Sequence, residues 1–127
     1  MLDNQIRYRI LVVDGEYDVA LSYTLALRYN GYLVDMYTEP HKVISEFKVN
    51  FYDLALLDIR MPVMTGFELY EKLRDFDKKM KVCFITAFSI YYESLKEFFD
   101  PIDIRCVIKK PVSTKKLINH VQQELIR

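Results

Sequence analysis

Five side chains in this sequence stand where chemistry could be done together: Asp14, Glu16, Asp58, Thr86 and Lys110. Each follows a short apolar run. ILVV (Ile10–Val13) stops at Asp14, with Glu16 two residues on; LALL (Leu54–Leu57) stops at Asp58; VCFI (Val82–Ile85) stops at Thr86; and IRCVI (Ile104–Ile108) stops at Lys109 and Lys110. An apolar run bounded by turn signals reads as a strand buried on both faces. In open α/β sheets the carboxyl ends of such strands face the ligand crevice. Two or three carboxylates, a hydroxyl and an ammonium would then meet on one rim. Like charges repel in a partly desolvated site, and a hard divalent cation or a nearby lysine relieves them. A carboxylate such as Asp58 can attack phosphorus and form an acyl phosphate. Thr86 could donate to a phosphoryl oxygen while Lys110 pairs with another. Phosphoryl transfer asks a protein mainly for positioning and charge compensation, which this set could supply. A single Asp after a strand is more simply a turn residue or helix cap, so the weight lies in the convergence.

The elements that must position these residues alternate along the chain. Between the first strand and Gly31, residues 16–30 place Leu21 and Leu25, and Ala20, Thr24 and Leu27, at helical spacing. Gly31 stands where a helix end favours a left-handed residue. YLVDMY (Tyr32–Tyr37) is β-rich but carries Asp35, which suits an edge strand. Thr38 can cap a helix with Pro40 in its first turn and Val43, Ile44 and Phe47 on its apolar face. Met61, Pro62 and Gly66 form a tight loop, after which Phe67, Leu69, Tyr70 and Leu73 mark a third helix ending in the charged loop Asp75–Lys79. A fourth helix is expected over Ile90–Phe99, before Pro101, and a last one is capped by Ser113 with Leu117, Val121 and Leu125 on one stripe. Strand–helix repetition with short connections predicts a parallel sheet covered by helices on both faces, joined by right-handed crossovers.

Composition bounds what such a domain does. The 127 residues suffice for one domain with a core, and 51% hydrophobic with 28% charged residues is ordinary for a soluble globular protein. Lys+Arg and Asp+Glu are 18 each, so no net field recruits nucleic acid or an anionic membrane. The longest apolar stretch, Val82–Tyr92, is too short to cross a bilayer, and the N-terminus lacks the core of a signal peptide. Cys83 and Cys106 fall inside strand-like runs and read as buried reduced thiols, so the chain is expected to be cytoplasmic. His41, His120 and Lys109 read as solvated surface groups. No P-loop, dinucleotide glycine pattern or Ser-His-Asp set is present.

The four strand-end motifs VVDGE (Val12–Glu16), LLDIRMPVMTG (Leu56–Gly66), ITA (Ile85–Ala87) and KPV (Lys110–Val112), in that order, resemble the response-regulator receiver domain of two-component signalling. The resemblance spans nearly the whole chain and makes residues 1–127 a single receiver domain. It implies a flavodoxin-like, three-layer αβα fold with a five-stranded parallel sheet in the order 2-1-3-4-5. It further implies that Asp58 accepts a phosphoryl group from a histidine kinase or phosphotransfer protein, assisted by Thr86 and Lys110. Mg²⁺ would be held by Asp14, Asp58 and the main-chain carbonyl of Arg60, and the Lys110–Pro111 bond would be cis. Such a domain is a signalling module rather than an enzyme. With no room for an output domain after the last helix, its output is expected through contact with a downstream effector protein, with homodimerisation as in some relatives.

Two departures from the family pattern stand out. Gly15 replaces the second of two adjacent acids, commonly a direct metal ligand, which weakens the expected Mg²⁺ site. Glu16 is a longer arm toward the cation, though it reads more simply as an early helix residue favoured by the dipole. Val107 replaces the aromatic expected three residues before Lys110, and a β-branched side chain cannot make the same rotamer exchange. Tyr91, Tyr92 or Phe88 could report the state instead. The alternative reading is a degenerate receiver, an interaction or dimerisation module without phosphorylation. A small α/β enzyme or flavin-type binder that shares only the architecture is disfavoured by Asp58, Thr86 and Lys110 together.

Overall fold

The computed structural model describes residues 7–87 and 105–127. The expected helix Ile90–Phe99, and with it Phe88, Tyr91, Tyr92 and Ile104, lies outside the described residues. The element order is β1 (Arg9–Val13), α1 (Tyr17–Tyr29), β2 (Leu33–Tyr37), α2 (Pro40–Glu46), β3 (Leu54–Asp58), α3 (Gly66–Phe76), β4 (Lys81–Thr86), β5 (Cys106–Lys109) and α4 (Thr114–Leu125). The five strands form one parallel sheet in the order β2-β1-β3-β4-β5, as the sequence led us to expect.

Alternation along the interior strands splits the core into two layers. Leu11 and Val13, Ala55 and Leu57, and Val82 and Phe84 face α2 and α3, where Val43, Leu69, Tyr70 and Leu73 meet them. Ile10 and Val12, Leu54 and Leu56, and Cys83 and Ile85 face α1 and α4, packing with Ala20, Leu27, Leu117 and Val121. All five residues of β3 are buried, which is why its apolar run is unbroken. Burying each leucine of that run contributes roughly 1.5–3 kcal/mol.

The helices differ from expectation in instructive ways. On α1 the inward stripe is Ala20, Thr24 and Leu27, whereas Leu25 is 54% exposed. Tyr23 and Leu27 are buried on the same face as the smaller Ala20 and Thr24, while Leu25 turns outward and Leu21 is half-buried. Gly31 adopts φ +92, the left-handed conformation expected after α1. Thr38 does not cap α2: the N-cap is Glu39, without a side-chain hydrogen bond, and Pro40 opens the helix. Phe47 lies just past its end yet still packs on the core. Ser113 does cap the last helix, its hydroxyl accepting from the Lys116 N–H at 3.2 Å.

Cys83 and Cys106 sit opposite each other in the β4–β5 register, with Cα atoms 4.6 Å apart, and their sulfurs form a disulfide. This corrects the expectation of two reduced thiols. The pairing depends on strand register, which spacing in the chain does not reveal.

The loop after β3 is folded tightly back on it. The Met64 N–H donates to the Pro62 carbonyl at 2.8 Å around Val63, whose φ is +73. A β-branched residue is costly in that conformation. Thr65 then forms a capping box, its hydroxyl accepting from the Glu68 N–H at 3.2 Å while its own N–H donates to Glu68 Oε1 at 3.0 Å. Gly66 opens α3 against the backbone of Asp58: a Cβ there would collide with the Asp58 carbonyl oxygen. Only glycine allows that approach. Gly66→Ala is expected to lower unfolding free energy by about 2–3 kcal/mol, read from urea denaturation; an unchanged midpoint would contradict the packing described.

Candidate functional site

β1, β3 and β4 end side by side, and the segment after β5 completes the rim. Asp14 follows β1, Asp58 ends β3, and Lys110 follows β5. The Lys110 ammonium donates to Asp14 Oδ2 at 3.0 Å and lies 3.5 Å from Asp58 Oδ1. One cation therefore spans two acids whose side chains keep 1% and 6% of their surface, while its own keeps 18%. Asp14 is fixed from a second side, because its Oδ1 accepts the Glu16 N–H at 2.9 Å. Lys110 is held through its backbone, its N–H donating to the Thr86 carbonyl at 2.7 Å, and the Lys110–Pro111 bond is cis.

Thr86 is buried at the end of β4, one residue beyond Ile85, the register partner of Asp58. Arg60 follows two residues after Asp58 and is exposed. Glu16 is exposed and serves as the N-cap of α1 without a side-chain capping bond. Of the expected set, Asp14, Asp58 and Lys110 are thus in direct contact. Thr86 adjoins them through Lys110, and the Glu16 side chain stands outside the ion pairs. His41 and Lys109 are exposed as expected, but His120 is half-buried against β5.

Burial and the facing Asp14 carboxylate push the Asp58 carboxyl up, from its ordinary 3.8 to about 6, and Lys110 only partly offsets them. Burial alone would lower the Lys110 ammonium, yet its bond to Asp14 and the charges of Asp14 and Asp58 leave it raised. Tyr23, on the inner face of α1, was not singled out from sequence. Its phenol is raised by burial first, and it also feels Lys110, Asp14 and Asp58. Its place between Ala20 and Leu27 on the inward stripe was the available signal. A cavity of about 530 Å³ opens between α1 and Lys110, lined by Glu16, Val19, Tyr23, Ala87, Lys110 and Pro111 but by neither Asp14 nor Asp58.

The donor set suits a hard cation in kind, since carboxylate oxygens line the rim. It is thin in number: among the described residues no three His, Cys, Asp or Glu side chains cluster as a metal site. Gly15 carries no donor at this rim, although a Cβ would fit there. A Cβ at Gly15 would meet Pro62 Cδ at 3.4 Å and Met61 Cγ at 3.5 Å, ordinary contacts.

A buried aspartate on the central strand, a second acid beside it and a bridging lysine just before a cis peptide, on a sheet of this order, define an α/β domain with an acidic rim at its strand ends. Residues 10–122 match the response regulator receiver domain, and the chain belongs to that family. The chain is 30% identical over 119 residues to the response regulator receiver protein CpdR of Brucella abortus, covering 93% of this chain and 97% of that one. It is 27% identical over 127 residues to the transcriptional regulatory protein RprY of Bacteroides fragilis, but spans only 53% of that protein's length. The response regulator TrrA of Thermotoga maritima, solved in complex with Mg²⁺ and BeF, aligns with a TM-score of 0.77 and 28% identity, covering 91% of this chain and 97% of that one. Among the described residues no helix is long and apolar enough to cross a membrane.

The raised Asp58 carboxyl makes stability depend on pH in a defined direction. Between about 4 and 6 the folded state holds a proton that the unfolded chain has released, so stability falls as pH rises through that window. Without divalent cations, Asp58→Asn is expected to stabilise the protein at pH 7.5 by about 1–2 kcal/mol, the nominal linkage being reduced for the open rim. The gain should fade toward pH 4. Melting curves of both proteins across pH 4–8 in chelator provide the check.

Proposed function

We propose that this receiver domain is phosphorylated on Asp58 and signals through protein contact. The observation that carries the reading is the Lys110 ammonium placed 3.0 Å from Asp14 and 3.5 Å from Asp58. A carboxylate oxygen of Asp58 attacks the donor's phosphorus, the bond to the donor breaks, and the leaving group departs with its electron pair. Lys110 pairs with the incoming phosphoryl oxygens, and the Thr86 hydroxyl orients one of them by donating a hydrogen bond. Asp14 holds the ammonium at the rim before and after transfer. Asp14, Asp58 and the main-chain carbonyl of Arg60 are the groups that would hold Mg²⁺. The cation, when bound, supplies charge that neutralises the phosphoryl oxygens.

The phosphodonor is a histidine kinase or phosphotransfer protein, and the effector is a separate protein surface in the cytoplasm. The chain accepts a group and passes on a conformational signal, so its role is that of a switch. Val107, half-buried against the core layer of Phe84, gives that switch a smaller moving part than an aromatic would.

Incubation with acetyl phosphate and Mg²⁺, read by intact mass, should add one phosphoryl group to the protein and none to Asp58→Asn. No gain at any donor concentration would instead favour the degenerate, phosphorylation-independent module. Because a Cβ at Gly15 meets only ordinary contacts, Gly15→Asp should fold. It should bind Mg²⁺ about tenfold more tightly, while the metal-free protein loses about 1 kcal/mol or more. Titration of Mg²⁺ into both variants, with melting curves in chelator, tests this; equal affinities would remove the assigned role of the missing acid.

A further inference from the structure

Opposite the acidic rim, at the amino ends of β1, β3 and β4, a second cavity of about 490 Å³ is lined by Tyr8, Asn50, Phe51, Asp53, Lys79 and Leu125 among others. Large apolar side chains are left on the surface around it: Tyr8 keeps over a third of its area, and Val49, Phe76 and Ile126 keep half or more. Beneath them the rings of Phe76, Phe47, Tyr52 and Phe51 form a chain, with successive centroids 6.2, 5.8 and 5.1 Å apart. A contiguous exposed apolar patch rimmed by polar groups marks a contact surface.

The charges around the patch decide what it contacts. Its acids are already used by the fold: Asp53 Oδ2 accepts the Arg9 N–H at 2.8 Å, and Asp77 accepts the N–H groups of Asn50 and Lys79, each at 3.0 Å. The Lys81 ammonium is used as well, donating to the Glu124, Leu125 and Arg127 carbonyls at the end of the last helix. Three cations are different. The Arg9 guanidinium and the Lys48 ammonium lie 4.2 and 4.6 Å from the centre of the Phe51 ring, and Lys79 stands in the cavity wall. None of the three pairs with a carboxylate among the described residues. A ring attracts a cation through its quadrupole but cancels none of its charge, so Arg9 and Lys48 keep theirs for a partner.

We propose that this end of the sheet is a docking surface for an acidic segment of a partner protein. An aromatic or aliphatic side chain of that segment enters the cavity beside Phe51, and flanking carboxylates meet Arg9, Lys48 and Lys79. Aromatic anchors at the centre and charged groups at the rim are the common build of such surfaces. Complementary charge there sets encounter rate and choice of partner more than affinity. The surface lies at the opposite end of the strands from Asp58, so the segment binds without covering the acidic rim. Docking here does not depend on phosphorylation of Asp58.

The probe is a fluorescein-labelled peptide with a Phe-Leu pair between runs of Glu, titrated into the unphosphorylated whole chain and read by anisotropy. It should bind saturably, and more weakly as salt rises. Replacing its Phe and Leu by Ser, or its Glu by Lys, should abolish binding. Lys48→Glu with Lys79→Glu, both on exposed residues, should weaken binding roughly tenfold. The double variant should keep the parent's melting temperature and sedimentation coefficient, so that misfolding does not account for the loss. No saturable binding, an unchanged affinity in the double variant, or tighter binding of a single-stranded oligonucleotide of the same net charge would overturn the proposal. So would a dimer of the parent chain that the double variant disperses, since the occupant would then be a second copy.

Discussion

A single ammonium group holds the functional end of this protein together. Lys110 reaches Asp14 and Asp58 at 3.0 and 3.5 Å, and neither acid has enough solvent around it to bear its charge alone. Removing that ammonium would leave two buried carboxylates uncompensated, and breaking a buried ion pair in this way typically costs about 3–5 kcal/mol. The lysine can do this only because the strand order puts β1 and β3 next to each other, with β4 and β5 beyond them. The fold's parallel register is therefore a condition for the ion pairs rather than a frame added around them. The loop after β3 is bent to the same end, with Val63 in a left-handed conformation and Gly66 pressed on the Asp58 carbonyl.

The sequence made the strands and their ends legible for a physical reason. An interior strand of a parallel sheet is buried on both faces, so it must read as an apolar run, and the first polar residue after it lands on the rim. Ile10–Val13 and Leu54–Leu57 are such runs, and the residues behind them are the ones in contact. α1 was harder to read because two stripes share its length. The outcome, with Ala20 and Thr24 inward and Leu25 outward, follows from close helix–sheet packing rather than from hydrophobicity. That choice also decides where Tyr23 points, so its position beside the charged groups could not be read before the face was known.

Register was the other missing quantity. Cys83 and Cys106 are 23 residues apart in the chain and directly opposite in the sheet. Nothing in a list of residues distinguishes that alignment from one shifted by a residue, which would have sent the two sulfurs to opposite core layers. The capping box at Thr65 and Glu68 is a different case. Its Thr-x-x-Glu spacing was not singled out from sequence, and it fixes the start of α3 against Asp58.

The two glycines near the rim separate a steric demand from an electrostatic one. Gly66 is required, since any Cβ would collide with the backbone of Asp58. Gly15 is not, since a Cβ there would touch Met61 and Pro62 at ordinary distances. What Gly15 changes is charge. With it, two carboxylates face one ammonium; with an acid in its place, three would. Each further carboxylate raises the cost of charging Asp58, which burial and Asp14 have already pushed up to about 6. A phosphoryl group brings more negative charge to the same spot. A rim with one acid fewer would bear that charge with less help from a cation, with Lys110 as its principal counter-charge. On the phosphorylation proposed above, the absence of the second acid would shift the dependence of Asp58 from metal toward lysine, on a fold otherwise arranged as the family's.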